Sequence, residues 1–225
     1  MRLIIAATLG LAVIGCSAPS AEQKPSATQA PASDQKPSTK TAGSLFDRWT
    51  VRLDDPSAKP DAVTLQSEKD AVTITSGPAG IYYKDGEKAE KDYTVSATFS
   101  QLKPTPKPVE YGLFISGADL DKPAARYTAL VVRGDGKYRI VTWNAGKATT
   151  VVDWTTAAPM MEPKGAKTSN TLTIRALQDA VHFLIGDKEL HQMPRAKAGE
   201  DGIAGVRFGP GLSLQVSKFE KKKFP

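Results

Sequence analysis

Apolar residues recur at every second position of this chain, and that period constrains the fold more than any other feature. In Tyr93-Thr-Val95-Ser-Ala97-Thr-Phe99-Ser100 the odd positions are apolar and the even ones carry small hydroxyls. An extended strand with this pattern has one face for a core and one for water. Thr171–Ala176 and Leu212–Ser217 repeat it. Val181–Ile185, Gly186-Asp187 and Lys188–His191 spell a hairpin with a two-residue turn. Arg133-Gly-Asp-Gly-Lys137 joins Tyr127–Val132 to Tyr138–Trp143 as a second hairpin. Further strands are expected at 49–53, 62–66, 71–76, 79–83, 109–116, 147–152 and 202–208. No window of 12 or more residues keeps a helical apolar stripe, and 157–169 is expected as loop or one helical turn. A core built from strands alone needs two sheets face to face or a closed barrel. The expected class is all-β, a two-sheet sandwich or a barrel.

The N-terminal segment is of another kind. Met1-Arg2 is followed by an apolar run of 12 residues, 3–14, too short for a spanning helix, which takes roughly 20. The run ends Val13-Ile14-Gly15-Cys16 and resembles a bacterial lipobox, and Cys16 is the only cysteine among 225 residues. That resemblance implies a signal peptide over 1–15, lipidation of Cys16, and a cell-envelope lipoprotein held in a membrane by its acyl chains. Ser17 at the next position implies the outer membrane in a Gram-negative host. Residues 17–44 hold four prolines and no aromatic, leucine, isoleucine or valine, so 16–44 is expected as a lipidated cysteine and disordered tether. Residues 45–225 then form the sandwich, long enough for one good core.

Tyr111-Gly-Leu-Phe-Ile-Ser-Gly-Ala-Asp-Leu-Asp121, Arg126-Tyr-Thr128 and Val132-Arg-Gly-Asp-Gly-Lys-Tyr138 look like the concanavalin A-like lectin/glucanase superfamily. Asn170-Thr-Leu-Thr-Ile174, the 181–191 hairpin, Asp201-Gly-Ile-Ala-Gly-Val-Arg207 and a closing strand 212–219 continue the likeness. The stretch is also similar to the 3-keto-disaccharide hydrolase domain family. The resemblance implies a laminin-G-like jelly roll of two antiparallel sheets; function does not follow from that fold.

Catalytic patterns are sparse. Retaining glycosidases hold two carboxyls about 5–5.5 Å apart, but Glu68-Lys-Asp70 and Glu87-Lys-Ala-Glu90-Lys-Asp92 mix with lysine and are expected in turns. Glu110 lies on a strand without a carboxylate at 108, 112 or 114, and it is the one candidate acid. No Gly-x-Ser-x-Gly motif or phosphate loop is present. His182 and His191 flank a hairpin with no third ligand in sight. No cofactor is expected; the candidate calcium ligands are Asp119 and Asp121, since sister domains hold calcium with loop carboxylates.

Binding is the remaining possibility. Sugars stack on flat aromatics while amides and arginines take their hydroxyls. If the strands pair as consecutive hairpins, Tyr111, Tyr127, Arg133, Arg139 and Trp143 line one surface, with Asn144 beside Trp143 and Trp154 in a loop. The run Lys218-Phe-Glu-Lys-Lys-Lys223 is expected as a solvated basic tail able to touch anionic lipid, within a net charge of +6. Nucleic acid is not an expected partner, because the aromatics do not interleave with the basic run. The favoured function is a non-catalytic module binding a glycan or another envelope component. The alternatives are a glycoside hydrolase or lyase acting on a sugar derivative, and a structural envelope protein.

Overall fold

In a computed structural model of the chain, the described residues are 44–158, 168–199 and 201–224. The expected signal peptide, Cys16 and nearly all of the tether lie outside them, as does most of the 157–169 connection. No helix among the described residues is long and apolar enough to cross a membrane.

Among the described residues, fourteen strands build two seven-stranded antiparallel sheets. Sheet 1 has the order β1 (Trp49–Leu53), β4 (Gly80–Ala89), β13 (Gly202–Phe208), β6 (Glu110–Ala118), β7 (Arg126–Arg133), β8 (Lys137–Asn144), β9 (Lys147–Thr156). Sheet 2 runs β12 (Lys188–Pro194), β11 (Ala180–Ile185), β10 (Thr168–Ala176), β5 (Tyr93–Gln101), β14 (Ser213–Lys223), β3 (Ala71–Ser76), β2 (Val63–Ser67). The only α-helical element among the described residues is one turn, α1 (Arg195–Ala198). Both expected hairpins form, β7–β8 and β11–β12.

The alternation decides which side chains meet. On β5 the inward Val95, Ala97 and Phe99 are buried while Thr94, Ser96 and Thr98 are half-exposed. Phe99 meets Tyr111 of sheet 1 with ring centroids 5.8 Å apart. Leu113, Ile115, Leu130, Val132, Ile140 and Val206 come from sheet 1 to join Val72, Ile74, Leu172, Ile174, Leu214 and Val216 of sheet 2. Each such buried side chain stabilises the fold by roughly 1.5–3 kcal/mol. Outward hydroxyls pair across sheet 2, Thr98 with Thr171 at 2.9 Å and Ser100 with Ser169.

Sheet 1 is different, because its central strands are buried on both faces. Ile81, Tyr83, Phe114, Leu120, Tyr127, Ala129, Val131 and Ile203 form a second apolar cluster, against which Trp143 and Trp154 pack. Consequently β6, β7 and β13 are almost continuously apolar rather than alternating, as expected for strands covered on both sides.

Three expectations change. Glu87 lies in β4, not a turn, with its carboxylate beside Lys84. Trp154 stands in β9, not a loop. The lysine run is the second half of β14: after a bulge between Ser217 and Glu220 it pairs with β5, from Glu220 opposite Ser96 to Lys223 opposite Tyr93. A free strand edge on β5 supplies backbone partners that a charged segment can take while its side chains stay in water.

Candidate binding site

Strand parity builds the outer face of sheet 1. In β7, Tyr127, Ala129, Val131 and Arg133 share that face. Their cross-strand partners on β8 are Trp143 opposite Tyr127, Val141 opposite Ala129 and Arg139 opposite Val131. Tyr127 and Trp143 stack at 5.9 Å with their rings 18° from parallel, and Phe114 of β6 packs on Tyr127 at 5.1 Å. Gly205 of β13, opposite Phe114, leaves room for that ring: a Cβ there would stand 2.7 Å from it and 2.5 Å from the Tyr82 carbonyl oxygen.

Two residues farther along β13, the Arg207 guanidinium crosses the face. It is 3% exposed. Its Nη1 and Nη2 each donate at 2.6 Å to one oxygen of Asp54, and Nη2 also reaches Glu110 Oε1 at 3.4 Å. Asp54 stands one residue beyond β1, where its backbone N–H donates to the Ala79 carbonyl at 3.0 Å. Arg207 Cζ lies 4.9 Å from the Trp143 ring, a cation–π contact. Burial works against this charge, but the Asp54 hydrogen bonds and the facing carboxylates outweigh it and hold Arg207 cationic. Burial also pushes the Tyr127 phenol up to about 12, with Arg207 pulling the other way.

A second arginine pair completes the row. Arg133 stacks 4.0 Å over Trp154 and donates through Nε and Nη2 to Asp135 at 3.1 and 2.8 Å. Arg139 lies 5.9 Å from the same ring and donates to Thr150 Oγ1 at 2.6 Å. The Nε groups of Arg139 and Arg207 are buried without a hydrogen-bond acceptor. At the other side, Leu120 from the β6–β7 loop joins the apolar cluster, and the Lys122 carbonyl takes a hydrogen bond from Arg52 at 3.3 Å. That loop therefore covers the β1 side, while Trp143 and Trp154 stay partly open.

Of the expected surface, Tyr127, Arg133, Arg139 and Trp143 do share a face. Tyr111 does not. It is opposite Val132, on the inner side, and its ring is buried in the inter-sheet core. A one-residue change of parity moves a side chain through the sheet. Asn144 ends β8 and, with Tyr127 and Trp143, lines a cavity of about 320 Å³ between β7–β8 and α1. Glu110 is on the outer face with its carboxylate committed to Arg207.

The candidate calcium ligands Asp119 and Asp121 find no third partner, since no group of three histidines, cysteines or carboxylates is gathered among the described residues. Lys122 takes Asp119 instead, at 3.0 Å, and holds its carboxyl below the usual range. The two histidines diverge in role: His182 Nδ1 meets Glu189 at 2.9 Å, and His191 packs at the Phe183 ring. Arg207, Asp54 and Phe114 were absent from the expected site. Arg207 is an isolated cation in an otherwise apolar strand, Ile203-Ala-Gly-Val-Arg207-Phe208, and that anomaly was the available signal. Asp54 comes from far away in sequence, and no local pattern marks it.

No protein family matches the sequence, and no curated protein does. Solved structures are similar in fold. Carbohydrate binding module CBM66 from Bacillus subtilis superposes with TM-score 0.60 at 12% identity, covering 80% of this chain and 98% of that one. A Bacteroides ovatus mixed-linkage-glucan GH16 enzyme gives 0.54 at 10%, covering 75% and 92%. Alginate lyase A1-II′ gives 0.51 at 10%, covering 79% and 95%. Such identities carry fold and nothing finer: the chain has a concanavalin A-like jelly-roll sandwich.

Proposed function

We propose that this protein is a non-catalytic carbohydrate-binding module that takes a glycan on the outer face of sheet 1. The observation that carries it is the partly open Trp143 ring, stacked on Tyr127 and backed by the Arg207 guanidinium. A flat aromatic held rigid by its neighbours offers a face for a pyranose ring with little ordering entropy to lose. Arg133 and Arg139, partly exposed at Trp154 on the same face, supply donors for hydroxyls. The fold shared with a carbohydrate-binding module agrees with this reading.

An array of neutral and acidic oligosaccharides, probed with the whole chain and followed by product analysis, tests it. Binding that disappears in Trp143→Ala, with no product formed, is the expected result. Failure of every glycan to bind would leave the structural envelope role instead.

One observation favours the second reading, a glycoside hydrolase or lyase. Asp54 and Glu110 converge on one nitrogen of Arg207, so two carboxylates share a site that the sequence did not place together. Both are engaged by a permanent cation, which suits holding charge better than passing protons. Turnover that is abolished in Glu110→Gln while binding survives would establish the enzyme.

The lipobox resemblance supports a further part of the proposal, that Cys16 carries the acyl chains of an envelope lipoprotein. Cells making Cys16→Ala should release the protein from the membrane fraction and lose acyl labelling. Unchanged fractionation and labelling would refute the anchor.

A further inference from the structure

The first and last described residues lie at one end of sheet 2. Ser44 Oγ donates to the Glu68 carbonyl at 2.7 Å and the Leu45 backbone N–H to the Lys69 carbonyl at 3.0 Å, so the chain enters the sandwich at the β2–β3 turn. Beside that turn β14 passes the start of β3, which ends its pairing with Ala71 opposite Ser217, and from Glu220 to Lys223 it pairs with β5. Three large apolar side chains are exposed among the described residues, and two of them, Leu45 at 41% and Phe224 at 44%, stand at this end. A single exposed apolar side chain is ordinary. Phe224 differs in its neighbours.

On the outer face of sheet 2, Arg175 of β10 stands opposite Thr94 of β5, and Thr94 opposite Lys222 of β14. Three adjacent strands set those two cations about 10 Å apart across a hydroxyl. Lys223 and Phe224 extend the row, and together these residues line an open groove of about 610 Å³ that Ser96 and Thr173 also border. Among the described residues Glu220 is the one carboxylate lining it, and Lys222 Nζ takes that carboxylate at 2.9 Å. Arg175 and Lys223 form no salt bridge with a described residue. Lys221 is otherwise engaged: its Nζ donates to the Glu87 and Lys88 carbonyls of β4 at 3.2 and 3.4 Å. The Phe224 backbone N–H donates to the Asp92 carbonyl at 2.9 Å, which fixes the backbone that carries the ring. Three cations against one carboxylate thus surround an exposed aromatic ring.

Such a grouping suits the boundary between headgroups and acyl chains, where the ring leaves water and long cationic side chains stay at the phosphates. A soluble polyanion would be served by the cations and gain nothing from the ring. We infer that this corner of sheet 2 docks on an anionic phospholipid bilayer, with Phe224 at the acyl boundary and Arg175, Lys222 and Lys223 at the headgroups. The inference deepens the membrane-anchor reading above by naming the part of the folded domain that meets the lipid. The outer face of sheet 1, on the other side of the sandwich, then stays open to a glycan.

The whole chain carrying Cys16→Ala, which leaves no thiol to acylate, provides the test. It is co-sedimented with vesicles of phosphatidylcholine and with vesicles of phosphatidylcholine mixed with phosphatidylglycerol. At low salt the anionic vesicles should bind it about tenfold or more tighter, and high salt should remove the preference. Arg175→Gln with Lys222→Gln and Lys223→Gln should abolish the preference, and Phe224→Ser should weaken binding to anionic vesicles about fivefold. Lys103→Gln with Lys107→Gln and Lys188→Gln removes as much charge away from this corner and should leave the preference intact. All these side chains are exposed, so the fold should survive.

Equal binding to both kinds of vesicle overturns the docking surface, as does a preference lost equally in the two triple variants or surviving in both. Binding that Phe224→Ser leaves unchanged also overturns it, and points to a soluble polyanion. None of these outcomes touches the Cys16 anchor, which acyl labelling decides.

Discussion

At the residue scale the Arg207–Asp54 pair is asymmetric. Arg207 is 3% exposed, whereas the Asp54 and Glu110 side chains keep 31% and 23% of theirs. Removing a partner from a buried pair leaves the other charge stranded. Asp54→Ala strands a cation that cannot shed its proton, so it should cost about 3 kcal/mol, with Glu110 offsetting part of a larger loss. Arg207→Met leaves carboxylates that reach water and should cost less, about 1–2 kcal/mol. Urea unfolding of both variants measures the order, and the reverse order would refute this account of the pair. Tyr127 provides a pH test. Its folded phenol holds its proton up to about 12, against an ordinary value of 10.0. The folded form is thus favoured while the unfolded phenol is still protonated. That stability is complete below pH 10 and drains as pH rises toward 12, roughly 2–3 kcal/mol for this one group. Tyr127→Phe should flatten the alkaline limb of a stability–pH curve by about that amount, and an unchanged limb would count against it.

At the element scale, β13 shows how a strand can be specified by what it lacks. Its central Gly205 lies between the Tyr82 carbonyl and the Phe114 ring. Gly205→Ala should destabilise by about 1–3 kcal/mol through overpacking against backbone, read as a lowered unfolding midpoint without change in m-value. Thermal stability equal to the parent would mean that β4 and β6 can move apart freely. β14 carries the complementary lesson. Its lysine run reads as a tail, because charge dominates its composition, yet the backbone hydrogen bonds of β5 decide its state. Lys221 is further tied to β4 by donating to the Glu87 carbonyl at 3.2 Å.

At the scale of the whole molecule, sheet 1 is buried by two apolar clusters and sheet 2 by one. Hydrogen exchange should therefore rank the strands. Amides of β6, β7 and β13 should be slowest, since opening them disturbs both clusters, and those of the edge strands β2, β9 and β12 fastest. Mass spectrometry of exchanged peptides checks this ranking, and faster exchange in β6 than in β2 would contradict it. The same double burial suits the face to the proposed binding role: the apolar cluster makes a rigid bed beneath the partly open Trp143, Trp154, Arg133 and Arg139.

How much was legible in the sequence follows from the range of each interaction. Period-two alternation in β5, β10 and β14, and turn residues in the two hairpins, determine strands and their inward faces, because steric and solvation preferences act within a few residues. The all-β class followed from them, as a sandwich or a barrel. So did the shared face of Tyr127, Arg133, Arg139 and Trp143, which one hairpin register carries. Pairings between distant strands left no such trace. Tyr111 stands inside because β6 meets β7 with Tyr111 opposite Val132, and alternation cannot tell the two buried faces of sheet 1 apart when both are apolar. Asp54 meets Arg207 across 153 positions of sequence, and Ser116 faces Gly199 only because a bulge turns it there. Local chemistry determined what each strand is; the packing of strands far apart in the chain decided which charges and hydroxyls meet.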